Sequence, residues 1–376
     1  MSGLRKGMTR GNAALRRTAW FFAMVPVFCV LSACAAVQPA PTDPRPSITW
    51  PLASENSRIV WVKSIAGPAD LGIGKGFWRR MLEVVSGEEN SSAIARPYGV
   101  LRSAAGQIYL ADPGAGLVHC LDVVKGSYSI IVNQDGSPLP SPIGLTEDDT
   151  GRLYITDSVA GMVYRFDPKD GSLKPLLSKA LERPTGIAFH PLSRLLYVAD
   201  TTASQIVVLD QSGVELRRIG SRGQDSLGFN HPTDLAIDAR GQIYVTDSLN
   251  FRITLLTPEG QLVRQFGAPG DSQGNFSRPK GIAVDSTGNI YVSDSLRDAV
   301  QVFDRDGALQ LVFGRNGVGP AQFWLPSGLF IDRHDQIYVT DTYNRRIQVF
   351  RHMTNGASVD EDNKTLLFDM PLPPSP

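Results

Sequence analysis

From about residue 58 to residue 351, short apolar runs rich in Val, Ile, Leu, Tyr and Phe alternate with clusters of Gly, Asp, Asn and Pro. Apolar runs this short, bounded by turn formers, read as β-strands rather than helices. One unit recurs six times, and its fourth copy runs from Pro232-Thr-Asp-Leu-Ala-Ile-Asp through Ile243-Tyr-Val-Thr-Asp247 to Leu256. The prolines align as Pro97, Pro142, Pro184, Pro232, Pro279 and Pro326. The tyrosines align as Tyr109, Tyr154, Tyr197, Tyr244, Tyr291 and Tyr338, each followed three places later by Asp112, Asp157, Asp200, Asp247, Asp294 and Asp341. Spacings of 43 to 47 residues between the tyrosines suit units of four short strands.

In the fifth copy the pattern places strands at Gly281–Val284, Asn289–Ser293, Ala299–Phe303 and Leu309–Phe313. The inner runs are apolar on both faces, as they must be in sheets stacked against neighbours on either side. The expected fold is all-β, a six-bladed β-propeller of four-stranded blades. The sixth copy ends after its third strand at Phe350, and Arg58–Ile65 supplies the missing one, so that an N-terminal strand closes the ring; Thr365–Phe368 is the rival segment.

Several stretches carry a family resemblance: Pro-Lys-Gly-Ile-Ala-Val-Asp at 279–285, Ile-Tyr-Val-Thr-Asp at 337–341, Asn344–Phe350, and the linker Phe266-Gly-x-x-Gly270-x-x-x-Gly274-x-Phe276. They resemble the NHL repeat, over most of the chain from about 58 to 351. The resemblance implies a propeller and says little about activity, because related propellers serve as lyases, lactonases and binding platforms.

The first residues follow a different rule. Residues 1–18 hold Arg5, Lys6, Arg10, Arg16 and Arg17 with no acid, and Ala19 to Leu31 is apolar, as in an export signal. The signal ends in Leu31-Ser-Ala-Cys34, which resembles the lipobox of bacterial lipoproteins and implies cleavage after residue 33 and a lipid on Cys34. Residues 34–57 then read as a proline-rich tether. Ala35 in place of Asp implies sorting to the outer membrane. The expected organisation is therefore a signal peptide (1–33), a lipidated tether (34–57), a propeller (58–351) with an insertion at 66–95, and a tail (352–376).

Composition changes the picture once the signal is removed. The whole chain carries 37 basic and 37 acidic residues, but the signal takes five basic ones, which leaves a mildly acidic mature chain. That balance excludes nucleic acid as a partner. Of the three cysteines only Cys120 stays unassigned, and it reads as a small buried hydrophobe.

A residue found in every blade serves the blade, whereas a site on the axis must break the symmetry. The six Asp residues precede turns whose N–H groups they can cap, and the six Tyr pack between blades. The variable positions flank the prolines, at the mouth of the central channel. Before them stand Arg96, Ser141, Arg183, His231, Arg278 and Leu325; after them stand Tyr98, Ile143, Thr185, Thr233, Lys280 and Ser327. In the fourth blade Asp234 replaces the glycine of the other five, with Lys280 and His231 as ion-pair partners in reach. The resemblance to six-bladed lactonases would bring calcium, held by Asn, Asp and Glu around the axis. Here the place between Pro and Gly holds neutral or cationic side chains, so no metal and no cofactor is expected. Lyases with several metal-bound His are no better matched, since only His231 stands at the mouth.

The candidate site is thus Arg96, Tyr98, Arg183, Thr185, His231, Asp234, Arg278 and Lys280, with no catalytic residue assigned. It suits an anionic small molecule or glycan, or an envelope partner protein, bound by a lipid-anchored binding module. The alternative is an envelope lyase or lactonase-like hydrolase with an atypical axial site. The insertion carries Phe77, Trp78, Met81, Leu82 and Val85 at helical spacing, a cover or docking element beside the mouth. Replacing Cys34 with Ser should shift the protein from the membrane to the soluble fraction on cell fractionation. A variant that is processed normally and stays membrane-bound removes the lipoprotein expectation.

Overall fold

The structure is a computed structural model that describes residues 48–51, 58–74 and 94–353. The expected signal peptide, Cys34, most of the expected tether, the helix expected within 77–85, and the tail beyond 353 with the rival segment lie outside the described residues. Six antiparallel sheets follow one another along the chain. Blade 5 has strands at Pro279–Val284, Ile290–Asp294, Ala299–Phe303 and Leu309–Phe313, within two residues of the boundaries read from the sequence. The innermost strand of blades 2 to 6 begins at the repeated proline, which pairs with the repeated Asp at the end of the second strand.

The ring closes as expected. Ile59–Ile65 pairs with Arg346–His352 as the outer strand of blade 6, and the Trp61 indole N–H donates to Gln348 at 3.0 Å. One more strand was not expected: Thr49–Trp50 adds to Ile59 and Val60 from within the tether. Trp50 lies 5.8 and 6.0 Å, centroid to centroid, from Phe313 and Phe350, so apolar contact rather than proline content decides where the chain starts to pack. At the other end the last strand reaches His352, and Met353 is buried.

The core lies between blades. In blades 4, 5 and 6 the Ile-Tyr-Val-(Ser/Thr)-Asp segment of the second strand is wholly buried, which is why both of its faces are apolar. The repeated tyrosines keep a polar handle: Tyr154, Tyr244, Tyr291 and Tyr338 donate to Asp148, Asp238, Asp285 and Asp332 at the turn between the first two strands. The repeated Asp at the other end accepts the N–H that enters the inner strand of its own blade, as in Arg183 N to Asp200 (2.8 Å) and Arg278 N to Asp294 (2.8 Å). Both repeated residues therefore serve the blade.

Around the axis the inner strands nearly touch. A Cβ on Gly99, Gly144, Gly281 or Gly328 would collide with a backbone carbonyl of the next blade. Hydroxyls of the second strands stitch the same level: Thr156 donates to the Thr185 carbonyl, Ser293 to Ser327 O at 2.5 Å and Thr340 to Tyr98 O at 2.7 Å. Gly328→Ala should therefore push blades 6 and 1 apart. The expected loss is about 1–3 kcal/mol, read as a lower midpoint in denaturant unfolding, and an unchanged midpoint would contradict the close approach.

Candidate functional site

The inner strands enclose an axial cavity of about 200 Å³. Its upper wall carries Tyr98, Thr233 and Asp234; deeper, the lining is apolar, with Phe189, Ala236, Ile237, Val284 and Phe330 among its side chains. Tyr98, Ile143 and Thr233, which follow three of the repeated prolines, line this cavity, and Lys280 reaches it through the Tyr98 ring.

Five of the eight expected residues form one group. The Lys280 ammonium stands 5.3 Å from the centre of the Tyr98 ring, a cation–π contact. Burial pushes the Lys280 pKa down, and the positive charges of Arg278 and Arg183 push it further the same way. Burial, joined by Asp234, raises the Tyr98 hydroxyl to about 12, against the pull of Arg183 and Arg278. The arginines stand in blades 3 and 5, on either side of the blade that carries Asp234. No carboxylate forms an ion pair with Arg183, Arg278 or Lys280 among the described residues.

Asp234 pairs with neither of the partners that its sequence neighbourhood suggests. Its carboxylate accepts the N–H groups of Leu235 (2.9 Å) and of Ile282 in the next blade (3.1 Å). Deep placement drives its pKa up to about 7, and these two N–H groups restrain the rise. A carboxyl group that titrates near neutrality, facing a cavity, has the properties of an acid–base catalyst.

Three expected residues do not join. Thr185 is a correction: it is 6% exposed, and its hydroxyl is spent on Thr233 O (2.8 Å) and Thr201 Oγ1 (2.7 Å), which hold blades 3 and 4 together. Arg96 is exposed, as Arg183 and Arg278 are, but its charge is not among those that act on Tyr98 and Lys280. His231 takes φ 54°, and its Nδ1 lies 2.9 Å from Asn230 Oδ1.

Comparison with known proteins places the fold. The SMP-30/gluconolactonase/LRE-like region matches residues 80–276, more than half of the chain, and a six-bladed β-propeller family matches residues 275–354. The chain belongs to the SMP-30/gluconolactonase/LRE-like family. No curated protein matches it in sequence. Among solved structures it is similar to virginiamycin B lyase from Staphylococcus aureus, at 16% identity over 71% of this chain and 98% of that one, with a TM-score of 0.54. A gluconolactonase from Xanthomonas campestris matches at 18% identity over 69% of this chain and 86% of that one, with a TM-score of 0.55. An auxiliary nutrient binding protein from Bacteroides thetaiotaomicron matches at 14% identity over 69% and 70%, with a TM-score of 0.55. At these identities the likeness is one of fold.

The axis of this SMP-30/gluconolactonase-like propeller does not suit a divalent metal. A hard cation wants six or more oxygen ligands, several of them charged, whereas the mouth offers one carboxylate beside an ammonium and two guanidinium groups. Among the described residues no group of three or more His, Cys, Asp or Glu side chains is placed to hold a metal.

Blade 4 also departs from the others in its second-strand hydroxyl. In blades 2, 5 and 6 a second-strand hydroxyl reaches the next inner strand, but the equivalent Thr246 hydroxyl in blade 4 is buried without a partner. Lys280 O, which that hydroxyl would meet, is bonded instead by Thr233 Oγ1 at 3.0 Å. The sequence signal existed: Thr156, Thr246, Ser293 and Thr340 all precede the repeated Asp. Thr233 thus takes over the stitch between blades 4 and 5, and Asp234 keeps a carboxylate where burial disfavours its charge.

Two measurements check this. Asp234→Gly should stabilise the protein by about 1–3 kcal/mol at pH 8, because it removes a carboxylate whose charge burial disfavours. Because its folded pKa lies above the unfolded value, Asp234 lets the native state bind more protons between about pH 4 and pH 7, so stability falls as pH rises through that window. Asp234→Asn removes that decline, and its melting temperature should gain on the wild type between pH 5 and pH 8. Parallel pH curves would rule the assignment out.

Proposed function

We propose that this propeller is an acid–base enzyme, a lactonase-like hydrolase or lyase that works at the axial mouth on an anionic substrate, anchored in the cell envelope through Cys34. The observation that carries the reading is Asp234, a carboxyl group that titrates at about 7 beside an open cavity and replaces the glycine its blade would otherwise keep. Family membership supports it, and relatives of the same fold are named as a gluconolactonase and a lyase. A pure binding module, the first expectation from sequence, has less support, because binding an anion needs no carboxylate at the axis.

In hydrolysis the Asp234 carboxylate takes a proton from water as the water oxygen adds to the carbonyl carbon of an ester or lactone. The Lys280 ammonium and the Tyr98 hydroxyl supply donors for the negative charge that forms on the carbonyl oxygen. The carbon–oxygen bond to the leaving alkoxide then breaks, and the proton passes from Asp234 to that alkoxide. In elimination the same carboxylate takes its proton from carbon and returns it to the leaving group. Arg183 and Arg278 hold the substrate's charge and take no part in proton transfer.

A panel of lactones and aryl esters bearing a carboxylate tests this. Turnover should rise with pH through about 7, as Asp234 loses its proton. Asp234→Asn should cut kcat by about 100-fold or more with the fold intact by circular dichroism. Equal turnover in the two proteins would overturn the reading.

A further inference from the structure

The side chains that line the axial cavity change from polar at its top to mainly apolar below, while polar groups still make up nearly half of its surface. Along the inner strand of blade 4 the order from the mouth is Thr233, Asp234, Leu235, Ala236, Ile237, so the carboxyl group separates two chemically different zones. Above it stand three cations without a carboxylate partner among the described residues. Below it, Phe189, Ala236, Ile237, Val284, Phe330 and Ile331 are only partly buried, leaving apolar surface turned to an open space. Apolar surface that faces a cavity is unfavourable unless something apolar covers it. A mouth with excess positive charge is equally unsatisfied without an anion.

We infer that the substrate is an amphiphilic organic acid whose anionic group stays at the mouth between Arg183, Arg278 and Lys280 while an aryl or short branched apolar arm enters the channel past Asp234. The inference rests on the axial reading above and adds the substrate class. Size limits the arm: a cavity of about 150 Å³ accepts a benzene ring, so about 200 Å³ admits one ring or a short branched chain and little more. The two arginines flank blade 4, so an acid held between them directs its arm along the strand that bears Asp234. The bond to be broken then lies at the junction of head and arm, level with the carboxylate.

The test uses the wild-type protein and three probes in isothermal titration calorimetry: 3-phenylpropionate, acetate and 3-phenylpropylamine. The acid with the ring should bind at least ten-fold more tightly than either acetate, which lacks the arm, or the amine, which reverses the charge. Acetate binding as tightly as 3-phenylpropionate overturns the apolar arm, and the amine matching the acid overturns the anionic head. Arg183→Gln combined with Arg278→Gln should weaken 3-phenylpropionate at least ten-fold, and unchanged affinity overturns the placement of the head. Binding is read without turnover, so the two ideas fail separately. If Asp234→Asn leaves turnover intact while the probes rank as expected, the catalytic reading falls and the ligand class stands; if Asp234→Asn abolishes turnover while acid and amine bind alike, the reverse holds.

Discussion

The rest of the molecule depends on how closely six inner strands approach one another. Gly99, Gly144, Gly281 and Gly328 let each strand come against a carbonyl of the next, and hydroxyls of the second strands tie the same level from behind. At this distance there is little room between strands: small hydroxyls such as those of Thr185 and Ser327 are bonded there, whereas Tyr98 faces the axis. The narrow ring therefore both fixes the blades and gathers residues from distant parts of the sequence into one small space.

The fourth blade breaks this rule, and the break is where the chemistry concentrates. Asp234 inserts a carboxylate where backbone would otherwise meet backbone and is itself pushed toward neutrality by its surroundings. Its neighbour Lys280 is unfavourably placed as well, buried and repelled by the positive charges of Arg278 and Arg183. Stability alone would remove all of these features. Their coexistence at one point on the axis fits a site shaped by what it must bind and transform.

Much of the fold was legible in the sequence because each blade repeats the same physical problem. Turn formers at fixed offsets, a Tyr that needs one polar contact and an Asp that caps an N–H recur six times, and the strand boundaries follow from them. The site was legible only as a set of positions that vary. Nothing in the sequence distinguished Thr185, whose hydroxyl is consumed between blades, from Lys280, whose ammonium stays in the mouth, since both follow a proline. Asp234 stood out as an exception, but the fate of its carboxylate depended on Ile282 N–H, 48 residues away. The strand at Thr49–Trp50 was hidden for a similar reason, because its packing depends on Phe313 and Phe350 from the far end of the chain.

Closure by the N-terminal strand also bears on when the protein can fold. The Trp61–Gln348 hydrogen bond joins residues 287 apart in sequence, and the strands that carry it must meet to complete blade 6. Blades 1 to 5 are built from neighbouring segments and can form as the chain emerges, whereas the sixth must wait for almost the whole of it. Loop-closure entropy makes that last step slow, but it grows only with the logarithm of loop length. Until it happens the third strand of blade 6 and the N-terminal strand each expose an unpaired edge, a surface prone to pair with other chains. The long-range strand pair is therefore a folding checkpoint as well as a clasp: a truncated or stalled chain lacks the ring, and with the ring open the axial residues are not brought together.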